Sequence, residues 1–156
     1  MEPNLTVPRI EPWFWDIIES SKHDLESLRG RLELLPKEQL FHFQYQFREA
    51  MDCVQPSKAL DLRIPGGFRC SEDTAEDFSE WVVSQGRRFY YDVRSHPEQV
   101  QDFLDMFRAC VGDLDYHELR WLGAHGLPFA VGFEVFETRF GADITAVIES
   151  QEWEIP

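Results

Sequence analysis

From Pro36 onward, Leu40, Phe43, Phe47, Met51 and Val54 recur at steps of three, four, four and three residues. That spacing puts all five on one side of a helix and none of the alternation a strand requires. The same pattern recurs in other segments, each opened or closed by proline or glycine. Trp13, Phe14, Ile17 and Ile18 follow Pro12, which suits a first helical position. Leu25, Leu28, Leu32 and Leu35 form a second short stripe that Pro36 stops. Val100, Phe103, Leu104 and Phe107 share a face behind Pro97, and Gly112 is expected to end that helix. Asp113 to Gly123 reads as a short helix carrying Leu114 and Trp121. Phe129, Phe133, Phe136 and Phe140 make a last stripe, with Gly141 as its C-terminal cap. Between these helices, Ala59 to Ile64 reads equally as one short strand or one helical turn, and Pro65-Gly66-Gly67 as a turn. The expected fold is mainly α: a compact single-domain bundle of six to seven helices over residues 1–156. Residues 1–10 are expected as a flexible lead-in. Residues 142–156 are expected as a tail whose Ile144, Val147, Ile148 and Trp153 pack on the body.

A chain of 156 residues can bury a substantial core, and 13 Phe with 5 Trp must be packed inside or presented to a partner. The net charge of −14 and the pI near 4.6 argue against nucleic acid and anionic membranes. They leave a basic protein or a metal as the partner such a charge would suit. Acidity also keeps an aromatic-rich chain soluble. No apolar run reaches membrane-spanning length, and no signal-like segment precedes Trp13. The 3 cysteines, Cys53, Cys70 and Cys110, are odd in number and lack CxxC spacing. The expectation is a cytoplasmic protein with free thiols.

The densest chemistry lies between Cys70 and Arg88, where Glu72, Asp73, Glu76, Asp77 and Glu80 precede Arg87 and Arg88. Thr74-Ala75-Glu76-Asp77 has the form of a capping box. Acids in the first turn of a helix gain about 0.3–1 kcal/mol each from its dipole, and late arginines suit its other end. Most of these charges therefore have a structural role. Gln85 and Gly86 do not fit so easily. Gln85 falls within the stripe Phe78, Trp81, Val82, Phe89 and Val93, where an unpaired amide costs roughly 1–3 kcal/mol. A mid-helix glycine costs about 1 kcal/mol against alanine. In one straight helix Asp77 and Arg88 lie three turns apart and cannot pair; a break at Gly86 would allow the chain to turn. The candidate binding residues are accordingly Cys70, Glu72, Asp73, Asp77, Trp81, Gln85 and Arg88. There an arginine could hold a carboxylate or phosphate bidentately, and acids could serve as general bases.

Phe14-Trp15, Gly66-Gly67, Ser71-Glu72-Asp73, Phe78, Trp81, Gln85-Gly86 and His96-Pro97-Glu98 together resemble a bacterial family of uncharacterised domains. Its members carry an N-terminal Phe-Trp helix and a Gly-Gly-Cys-Ser-Asp-Asp block, then a Phe-x-x-Trp-Leu-Ile-x-x-Gly helix. Here Phe68 and Arg69 stand between the glycines and Cys70, and Glu72 replaces the first aspartate. The resemblance covers about two-thirds of the chain. It implies a small, mostly helical cytoplasmic domain and no particular activity.

Other constellations point to no catalytic residues, metal or cofactor. His117-Glu118 begins like a zinc-protease motif, but Trp121 stands where the second histidine belongs. Asp113, Asp115 and His117 lack the glycine and distal glutamate of a calcium loop. His42 reads as a partly exposed surface residue, and Cys53 and Cys110 as small buried ones. Cys70 precedes a helix N-terminus, which lowers a thiol pKa, while the nearby acids raise it. Phosphate loops, GxSxG and dinucleotide fingerprints are missing from the sequence. The resulting expectation is a protein-interaction domain of inhibitor, immunity or adaptor type. The alternative is a small-molecule-binding protein or small enzyme with an acid/arginine pocket at Gly86. A dimerising role requires the Phe129–Phe140 face to be open to solvent.

Overall fold

The computed structural model describes residues 10–22, 24–57, 60–64, 67, 69–111, 127–144 and 146. They form α1 (Pro12–Ser20), α2 (Leu25–Glu33), α3 (Lys37–Val54), α4 (Glu72–Ser84), α5 (Arg87–Ser95), a 3-10 turn (Pro97–Gln99), α6 (Val100–Val111) and α7 (Leu127–Phe140). Seven α-helices and no strand among the described residues make the protein mainly α. Of the expected lead-in at 1–10 only Ile10 is described, and it is buried in the core. The helix at 113–123, Gly112 with Asp113, Asp115 and His117, and the tail at 147–156 lie outside the described residues.

Helix α3 is the hub, packing on α4, α5 and α7, while α7 also lies along α2. Its predicted stripe is buried, and so are Phe41, Gln44, Gln46 and Ala50 beside it. A helix with neighbours on several sides buries more than one stripe. Phe14 of α1 meets Phe43 at 5.0 Å and Phe47 at 5.9 Å, joining α1 to this hub.

Helix α4 departs further from its sequence pattern. Every residue from Phe78 to Ser84 is buried, Ser79, Glu80 and Ser84 included. The two serines turn their hydroxyls onto the backbone carbonyls of Glu76 and Glu80, at 2.7 Å each. Satisfied in this way, they allow close packing. Glu80 is only 2% exposed. Its Oε1 accepts the Phe129 backbone N–H at 2.9 Å, satisfying a donor in the first turn of α7. Gln44 completes the junction, its Nε2 donating to the Phe129 carbonyl at 3.0 Å. The two helices meet closely there because Gly132 has no side chain; a Cβ would fall 1.8 Å from Gln44 Oε1.

Helix α7 is embedded accordingly. Phe136 is fully buried, Val131 and Val135 nearly so, and Phe129, Phe133 and Phe140 pack partly buried against the core. The open phenylalanine face needed for a dimer is not present. Gly141 at φ 66° ends the helix, its N–H reaching the Glu137 carbonyl at 2.8 Å. Ile144 beyond it is buried in the core.

Two local expectations are corrected. Residues 60–64 are neither strand nor helical turn. Arg63 and Arg69 form an isolated antiparallel bridge, and Gly67, at φ 82°, donates to the Ile64 carbonyl at 3.1 Å. The Gln101 amide stands in for a neighbouring strand, accepting the Arg63 N–H at 2.9 Å and donating to its carbonyl at 2.8 Å. Thr74 does not cap α4 either. Ser71, with extended backbone, is the N-cap, and its Oγ accepts the Thr74 N–H at 3.1 Å. The helix thus starts at Glu72, placing Thr74 third inside it.

Candidate functional site

The question of Gly86 is answered by its backbone. At φ 104° and ψ 176° it occupies a region open essentially to glycine alone. Helix α4 stops at Ser84, and α5 starts at Arg87. Glu19 of α1 secures the break, its Oε1 accepting the Arg87 N–H at 3.0 Å. A carboxylate at that N-terminus also faces the positive end of the helix dipole.

The break does not return Arg88 to the acids. The candidate residues divide between the two ends of α4, whose 13 residues span about 20 Å at 1.5 Å per residue. At the N-terminal end, Cys70 and Glu72 line a cavity of about 340 Å³ with Pro56, Leu60, Leu62 and Ala75. At the other end, Gln85 and Arg88 line an open cleft of about 640 Å³ with Phe89, Tyr91, Asp92 and His96. Asp73 is exposed and Asp77 half-buried, and neither lines these two depressions. Trp81 is buried between the ends, its ring 5.2 Å from Phe89 and 5.4 Å from Phe107. It belongs to the core.

Gln85 Nε2 is buried and has no hydrogen-bond partner, and the same holds for Trp81 Nε1 one turn earlier. The cleft below holds His96 beside Asp92. His96 Nδ1 lies 3.3 Å from Asp92 Oδ1 and 2.9 Å from the Asp92 carbonyl. The contact with the Asp92 backbone, reinforced by the Asp92 and Glu98 charges, raises the imidazole pKa above its ordinary 6.5.

Cys70 is half-buried, and burial pushes its thiol pKa up despite the opposing charge of Arg108. Cys53 is also half-buried, whereas Cys110, expected inside, is exposed on the last turn of α6. All three are free thiols. His42 is half-buried, as its position between two phenylalanines suggested.

Sequence reasoning did not find the acidic surface shared by α3 and α4. Arg48 of α3 bridges Asp52 at 3.4 Å and Glu76 at 3.2 Å, so acids of both helices converge on one arginine. Glu72 and Asp73 are exposed on the adjoining first turn of α4. The available signal was Arg48 and Asp52 spaced i, i+4 on a helix whose opposite face was already assigned to the core. Among the described residues no three His, Cys, Asp or Glu side chains converge as metal ligands. None of the helices there is long and apolar enough to cross a membrane.

The family model described as a protein of unknown function, DUF4240, matches residues 11–125. The chain belongs to that family. Comparison with curated proteins and with solved structures returns no match.

Proposed function

We propose that this DUF4240 chain is a protein-binding domain, of inhibitor, immunity or adaptor type, whose acidic α3–α4 surface receives a basic partner protein. The supporting observation is the convergence of Asp52 and Glu76 on Arg48, with Glu72 and Asp73 exposed alongside. On a chain of net charge −14, such a surface steers a basic partner and speeds encounter. A cytoplasmic setting belongs to the same proposal and is supported by the three free cysteines.

The test is capture of a binding partner by the wild type and by the double variant Asp73→Lys, Glu76→Lys, at about 0.05 and about 0.5 M salt, across which charge screening changes severalfold. The expected partner is basic and is lost both in the variant and at high salt. A tight partner that survives both changes refutes the reading.

A second reading, a small-anion site, rests on the α5 cleft, where Arg88 and His96 share a depression with Phe89 and Tyr91. It predicts thermal stabilisation by phosphate or a carboxylate that Arg88→Ala abolishes. Equal shifts in both proteins dismiss it.

A further inference from the structure

Beside the acidic surface lies an apolar socket. Pro56, Leu60, Leu62 and Ala75 wall the cavity of about 340 Å³, which lies at the small end of ligand sites, roughly 300–1,000 Å³. Leu60 is a large hydrophobic residue left 44% exposed. It also borders a second depression of about 230 Å³, whose far wall is Val93, Pro97 and Val100. The two depressions share Gln55, Pro56, Ser57 and Leu60 as a common wall.

The rim of the first cavity carries both signs. Glu72, in the first turn of α4, and Arg69, just before that helix, both line it. Behind Glu72 lies Glu76, one helical turn along, and Asp52 stands one turn before the wall residue Gln55. Arg48 is the cation between Asp52 and Glu76. An apolar depression with a charged rim is the anatomy of a protein–protein anchor site, where one or two buried side chains carry most of the energy.

We propose that this socket is the anchor point of the interface: it takes an aliphatic side chain from a polypeptide whose adjacent residues, on the α4 side, are lysine or arginine. The proposal rests on the acidic-surface reading and adds the apolar anchor and the direction of the basic flank. Charge complementarity selects the occupant, since Glu72 lines the cavity, Glu76 follows one turn along α4, and Asp52 stands one turn before the wall residue Gln55.

The test uses fluorescence polarisation of the full chain with three labelled peptides. The first has two lysines followed by two leucines; the second replaces leucine by serine; the third replaces lysine by glutamate. The first should bind saturably, and the other two about tenfold more weakly, the scale of one anchor residue. Leu60→Ser should weaken the first peptide about as much at high salt as at low, and Glu72→Lys should weaken it mainly at low salt. Circular dichroism checks that both variants fold, and the peptide replacements test the socket in the wild type alone. If binding needs the lysines and the acids but is indifferent to leucine and to Leu60, the acidic surface stands and the socket is refuted. No saturable binding, or dimerisation of the wild type through Leu60, also refutes it.

Discussion

Replacing Gly132 by alanine tests the closest contact in the core. On helix propensity alone the change should stabilise α7 by about 1 kcal/mol, because glycine in a helix interior is that much worse than alanine. The structure predicts the opposite sign. The new Cβ would lie 1.8 Å from Gln44 Oε1, 2.1 Å from its Cδ and 2.8 Å from its Cγ. Gln44 is no loose surface chain: it is 2% exposed and its amide holds the Phe129 carbonyl at 3.0 Å. Swinging it aside leaves buried polar groups unpaired, at roughly 1–3 kcal/mol. Overpacking adds roughly 1–3 kcal/mol. After the propensity gain, the net loss is about 3 kcal/mol. That corresponds to a fall in Tm of about 6–12 °C for a domain of this size.

Urea unfolding followed by tryptophan fluorescence should show a lower midpoint with unchanged slope. In the double variant with Gln44→Ala the clashing atoms are gone, so the two changes should couple by about 1–3 kcal/mol, the pair costing less than the sum. A neutral or stabilised Gly132→Ala, or additivity within about 0.5 kcal/mol, would falsify the close docking of α7 on α3.

Gly86→Ala, forced to φ 104° against Glu19 Oε1 at 3.2 Å, should lose about 1–3 kcal/mol in the same unfolding assay; no loss would mean that the α4–α5 break tolerates another geometry. Ser71→Ala should cost about 1 kcal/mol and Thr74→Ala clearly less, since Ser71 is the cap; the reverse order would restore Thr74 to that role. Under a thiol-specific reagent near neutral pH, exposed Cys110 should react before Cys70, which is half-buried with its pKa raised; simultaneous reaction contradicts that placement. His96 should titrate above 6.5 by NMR, with its stabilising contribution fully present below 6.5 and lost as pH rises through the folded-state value; a midpoint at or below 6.5 contradicts the Asp92 contact.

The stripe from Leu40 to Val54 and the helix behind Pro97 could be read from residue spacing, because helical periodicity is a property of neighbours three and four apart. Gly86 could be read too, as a residue whose presence inside a stripe signals backbone angles that others resist. Thr74 was misread for a local reason: Ser71, three residues earlier, offered an equivalent hydroxyl, and the cap went to the residue that is extended where the helix begins.

The candidate site was set at another scale. Glu80 looked like one more acid of the charged cluster, yet it is buried, its carboxylate accepting the Phe129 N–H of α7 from 49 residues away in sequence. Glu19 reaches Arg87 across 68 residues, and Gln44 reaches Phe129 across 85. Separations of that kind leave no mark on local pattern. The sequence by itself therefore determined a helical, acidic, aromatic-packed chain that breaks at Gly86, since propensity, capping and charge act locally. Only the packing of α3, α6 and α7 around α4 decided which of its polar groups are buried, and the depressions at its two ends keep Cys70 and Glu72 apart from Gln85 and Arg88.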